Sequence, residues 1–153
     1  MTNPSRLKLI AAVLLIAAAA LPQYTCVQYR APDGALWQSI PPGADSSRYE
    51  RVVERHYAFE EFAPGRPESW LTVIAFAWPV AVIAVRTRTR RPALNRVLWW
   101  LEPLLAVGSG YLILLFSSFG QRAIGSWTGV AACLLYLVAW ALELTVRFRK
   151  SPP

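Results

Sequence analysis

The sequence predicts an all-α integral membrane protein: four transmembrane helices, with a small extracytoplasmic α+β segment between the first two. Hydrophobic residues fill 55% of the 153 positions and the mean hydropathy is +0.32, more apolar surface than one soluble core of this length hides. These residues fall into four long runs. Basic side chains collect at alternate ends of those runs, as successive crossings of a bilayer require.

The first span is read at residues 7–24, after a short N-terminus at 1–6. Its apolar stretch is brief, so Lys8 is expected to snorkel toward headgroups while the helix runs on past Pro22. A cleaved signal peptide is the rival reading, with Arg6 and Lys8 as a basic n-region and small residues near Ala20 as the cleavage zone. Residues 70–85 form the second span, carrying Pro79 in its interior, where neighbouring helices must re-satisfy the freed carbonyl. The third and fourth spans, 97–119 and 127–146, are long enough for a full crossing of ~30 Å. The turn at 120–126 makes them an antiparallel hairpin.

Orientation follows from charge. Arg6 and Lys8, the loop at 86–96 with Arg86, Arg88, Arg90, Arg91 and Arg96, and the tail at 147–153 with Arg147, Arg149 and Lys150 contain ten basic residues and no acid. Residues 22–69 carry five arginines against seven acids. Positive charge stays inside, so both termini and the central loop are expected in the cytoplasm of a bacterial inner membrane. Trp70 and Trp127 then stand at the outer boundary, and Trp99 and Trp100 at the inner one, where amphipathic rings settle. Only Lys8 and Lys150 are lysines among 16 basic residues, an arginine bias typical of a GC-rich bacterial genome. The net charge of +7 shows no groove-reading helix or aromatic–basic sheet, which excludes a nucleic-acid partner.

Residues 25–69 are the one sizeable polar segment. The run 25–30, the Pro32-Asp33-Gly34 turn and the run 35–40 read as a β-hairpin. Ser47 and Glu50 fit a capping box. Behind it Tyr49, Val52, Val53 and Tyr57 fall near helical spacing with Glu50, Arg51, Glu54 and Arg55 facing away, which predicts a short amphipathic helix. A third strand at 52–59 is the alternative.

Chemistry-bearing residues are few. With one histidine and two cysteines outside any paired motif, no metal, cofactor or catalytic residue is expected. His56 near Glu54 and Glu60 reads as a solvated polar group, and Cys26 and Cys133 as structural. Gly108, Ser109, Gly110, Gly125 and Gly129 offer small faces for helix packing. Glu102 and Glu143 are the intramembrane polar pair. Topology brings them to one level, about 6 Å inside the inner boundary. Pairing of Glu143 with Arg147, and of Glu102 with Arg96 or another loop arginine, would lock the helical hairpin. Arg86, Arg88, Arg90 and Arg91 are candidate contacts for anionic lipid. The four-span pattern lacks the deep acid of small multidrug exporters and the paired outer cysteines of disulfide-forming membrane oxidoreductases.

Taken together, these residues imply a non-enzymatic multi-pass membrane protein, embedded in the lipid bilayer and using its extracytoplasmic segment on a membrane or periplasmic protein partner. Trp37, Tyr49 and Tyr57 are its candidate contacts. The alternative is a small transporter or channel, a homo-oligomer whose path passes Pro79 and uses Glu102 and Glu143.

Overall fold

Each apolar run folds as a helix, because each is rich in Leu, Ala and Val, and three of the four open at a proline. The computed structural model describes residues 3–60, 62–89 and 91–149, without the side chains of Glu68 and Arg149. Helix α1 covers Pro4–Ala19, α2 Pro67–Arg88, α3 Pro92–Phe116 and α4 Ile124–Arg149. Proline opens α1, α2 and α3, where its missing N–H costs nothing. Asn3 caps α1 by accepting from the Ser5 amide at 3.1 Å. Arg90 and Lys150, counted above among the basic flanks, lie outside the described residues.

Helix α1 packs on α4 and α2, and α3 packs on the same two, closing an up-down-up-down bundle. Its core is layered. Leu15, Ala18, Phe76, Ile113, Ala132 and Cys133 form one cluster, and Ala11, Trp78, Val82, Ala106 and Tyr136 the next. Three helical stretches, Ser69–Arg88, Pro92–Phe119 and Ile124–Phe148, are long and apolar enough to cross a membrane.

Helix α1 is not among them. The expected span at 7–24 is corrected to 16 helical residues, about 24 Å. It stops because Pro22 cannot extend it and because the Gln23 amide donates to Ala18 O at 2.6 Å and Leu21 O at 3.0 Å, satisfying terminal carbonyls. Residues 22–24 belong to a strand instead. The loop expected at 86–96 shrinks likewise, since α2 and α3 consume all but residues 89–91.

The polar segment forms a sheet. Strand β1 (Pro22–Arg30) is central, with β2 (Leu36–Trp37) and β3 (Glu50–Tyr57) antiparallel on either side. The hairpin expectation holds, with Tyr29 opposite Trp37 and Arg30 opposite Leu36, and Gly34 takes φ 86° in the turn. The amphipathic helix does not form. Residues 50–57 pair with β1 from Tyr57↔Pro22 to Glu50↔Arg30, so backbone pairing outweighs a weak helical period. The capping box fails with it: Asp45, not Ser47, is the cap, accepting from the Ser47 amide at 3.1 Å and hydroxyl at 2.7 Å. Those bonds hold the Asp45 carboxyl below its usual range. A short strand β4 (Gln121–Arg122), inside the turn expected at 120–126, pairs with Tyr24 and Thr25 of β1.

The glycines separate by role. A Cβ on Gly125 would lie 2.6 Å from Pro22 O and 2.7 Å from Leu21 O, because α4 begins directly against the α1–β1 junction. One on Gly129 would press Ile113 at 2.9 Å, whereas Gly108 faces open space. Gly125→Ala should therefore lower thermal stability in detergent, by about 1–3 kcal/mol for an unyielding backbone contact. Gly108→Ala should leave it unchanged or raise it by about 0.5–1 kcal/mol through helix propensity. Unfolding curves of the two variants check the contrast.

Candidate functional site

Topology brings the start of α1, the end of α2, the start of α3 and the end of α4 to one end of the bundle. Each contributes a charge. Lys8, only 4% exposed, donates from Nζ to Glu102 of α3 and, at 2.6 Å, to Glu143 of α4. Arg86 of α2 donates to the same Glu102 and stands 3.6 Å from Glu143. Arg147 closes the group, 2.7 Å from Glu143 one turn earlier on α4. Glu102 is fully buried.

Three cations thus surround two carboxylates. Low dielectric strengthens each attraction, but removing these groups from water is costly, so such a set is stable only when every member is paired. Here both carboxylates are. Aromatic rings wall the cluster: Lys8 Nζ lies 5.6 Å from the Tyr136 ring centre and the Arg147 guanidinium 4.7 Å from that of Trp99. Trp99 stacks on Trp140, whose indole N–H donates to Trp99 O at 2.9 Å.

The structure brings Glu102 and Glu143 together on Lys8 and pairs Glu143 with Arg147. Lys8 does not snorkel outward; it points inward and bridges both acids, because burying its stem beside Ala11 and Ala12 leaves the ammonium facing Glu102. Glu102 meets Arg86, one of the other arginines expected in the central loop, rather than Arg96, which is exposed. Trp99, expected at an interface, is buried, while Trp100 remains exposed. Of the candidate lipid contacts, Arg88 and Arg91 are exposed and Arg86 is turned into the cluster. A lone lysine at the start of an apolar run, level with two acids elsewhere, was the available signal for the pairing.

At the opposite end the sheet meets the helices around a cavity of about 280 Å³. Its floor is Phe76 of α2 with Ile113 and Phe116 of α3, and its rim includes Tyr24, His56, Glu60 and Arg66. His56 stacks on Tyr24 with ring centres 4.6 Å apart, and its nitrogens lie 3.8 Å from Glu54 and 3.4 Å from Glu60. The loop after β3 is pinned to α2 by Phe62 against Trp70, and by the Trp70 indole donating to Pro64 O at 3.1 Å. Tyr57 also lines this cavity, whereas Trp37 sits exposed at the far end of the sheet and Tyr49 is half-buried between them in sequence. The expected contact trio is therefore not one patch. Among the described residues no group of three metal-ligating side chains gathers.

Family models, curated proteins and solved structures were all compared with the chain, and none matches.

Breaking the cluster from one side takes from Glu102 one of its two cations, or from Lys8 one of its two acids, in a buried setting. Lys8→Met or Glu102→Gln should each destabilise the bundle by about 3–5 kcal/mol, and the double variant should recover part of that loss. Arg147→Ala, at a half-exposed side chain, should cost under about 1 kcal/mol. A double-mutant cycle by thermal unfolding in detergent reads all three.

Proposed function

We propose that the chain is a multi-pass membrane protein that works through contacts, its sheet serving as the docking module for a protein partner outside the cytoplasm. One observation carries this reading. Strand β3 is paired along one side only; along Glu50–His56 its other edge carries no strand among the described residues, while Tyr57 at its end is held by Glu60. An uncovered edge of that length is a ready template for another strand.

Embedding rests on where the apolar side chains point. Leu9, Val13 and Ile16 of α1, Leu71 and Ile74 of α2, Leu104 and Val107 of α3, and Leu134 and Val138 of α4 face outward. In water that belt is unfavourable; in hydrocarbon it is solvated. The arginine asymmetry supports placing the charged end of the bundle in the cytoplasm. Helix α1 packs closely on α4 and supplies Lys8, which supports a retained anchor over a cleaved signal. Full pairing of Glu102 and Glu143 supports a structural lock over a transport path.

The charge pattern of β3 bears on the kind of partner. Directly opposed residues of antiparallel strands share a face, so Arg51, Val53 and Arg55 lie on one face with Tyr29 and Trp37, and Glu50, Val52, Glu54 and His56 on the other. A two-fold pairing with a second copy's β3 would set arginine rows together on one face and glutamate rows together on the other. Both rows repel. The edge is therefore suited to a different chain, with acids over Arg51 and Arg55 and bases over Glu50 and Glu54.

A photoreactive side chain at position 53 should give one discrete adduct heavier than the chain in intact cells, lost when Arg51 and Arg55 are both changed to Glu. The same probe at position 107 should give none of it. Absence of the adduct, or an adduct of twice the chain's own mass, would overturn the docking assignment. Orientation is checked separately: a reporter active only outside the cytoplasm should report when inserted after Gly43 and stay silent after Thr89.

A further inference from the structure

The cavity beneath the sheet combines three features that together specify a ligand. Its floor of Phe76, Ile113 and Phe116 is apolar and belongs to two helices that are long enough to cross a membrane. Its mouth carries an acid and a base that are not joined to each other. Glu60 is oriented by the Tyr57 amide, which donates to it at 3.1 Å, and by His56 at 3.4 Å. Arg66 lines the same opening, is exposed, and makes no ion pair with a described carboxylate. Trp70, half-exposed one turn into α2, marks the level of the opening as the headgroup zone under the membrane reading given above, on which this inference rests.

A separated carboxylate and guanidinium above an apolar floor match a zwitterion with an attached hydrocarbon. The volume sits just below the ~300 Å³ at which drug-sized ligand pockets begin, enough for a headgroup and the first part of a chain. We propose that this cavity seats a zwitterionic phospholipid of the outer leaflet. Its ammonium lies at Glu60, helped by the surrounding aromatic faces, its phosphate at Arg66, and its upper acyl segment against Phe116 and Ile113. An anionic lipid meets the same Arg66 but leaves Glu60 facing a headgroup with no cation. A simple cationic amphiphile leaves Arg66 unused.

The test is native mass spectrometry of the full chain released from nanodiscs containing equal parts of phosphatidylethanolamine and phosphatidylglycerol. The wild-type chain should retain one phosphatidylethanolamine at about fivefold excess over phosphatidylglycerol, a preference of roughly 1 kcal/mol. Glu60→Gln and Arg66→Gln, both at exposed positions where the fold does not depend on the charge, should each bring the ratio near unity. Arg48→Gln, exposed and outside the cavity lining, should not change it. Equal retention of both lipids by the wild type, or selectivity surviving both cavity variants, overturns the proposal. Soluble glycerophosphoethanolamine is the second arm; if it displaces the bound lipid at equimolar amounts, the hydrocarbon floor contributes nothing and the lipid assignment fails. Failure of the membrane reading is a separate result, a purified chain that stays monodisperse without detergent.

Discussion

The buried cluster of Lys8, Arg86, Glu102, Glu143 and Arg147 is the constraint on which the rest of the bundle depends. It is the layer where all four helices contribute a charged side chain. Ion pairs in a low-dielectric interior are directional and intolerant of partial pairing, so they select one register of the four helices over its neighbours. Apolar packing alone would not. A slide of α1 that parts Lys8 from Glu102 and Glu143 leaves a buried ammonium unpaired.

The opposite end is organised by backbone rather than by charge. Helix α1 stops two residues before β1, and the Ala123 amide donates to Gln23 O at 3.0 Å. Strand β4 then adds two residues to the same edge of β1. The sheet is stitched to the bundle at the Pro22 end of β1 and projects away from it at the Arg30 end, where Leu36 and Trp37 are exposed. Both faces of β1 are only half-buried along most of its length. A sheet held at one corner with two wet faces has few internal contacts to sustain it.

Much of the bundle was legible in the sequence because its helices are long apolar runs, three of them long and apolar enough to cross a membrane. The hairpin was legible too, since Pro32-Asp33-Gly34 states its turn chemistry locally. Residues 50–57 were legible only as the alternative, a strand at 52–59, rather than as the amphipathic helix expected first. Glu-Arg-Val-Val-Glu-Arg repeats its charges every four residues, a helical signature, and nothing local announces that β1 stands ready to pair with it. The period belongs to solubility on two exposed faces rather than to a buried stripe. Lys8 was misread for a related reason: snorkelling is the cheaper fate of a lysine near a helix end, unless acids from other helices reach the same level. Glu102 and Glu143 do so only through packing of α1 against α4, a contact between residues about 135 apart. The cavity was invisible for the same reason, being assembled from β3, the loop after it, α2 and α3.

The two ends therefore divide the work. A locked end fixes helix register. A looser end presents an edge strand, aromatic side chains and a cavity whose walls come from different elements. Sites that must admit a partner or ligand belong where local stability is low. On the docking proposal, the arginine and glutamate rows of β3 fit that logic, because they disfavour pairing of the edge with its own copies while leaving it open to a strand of complementary pattern.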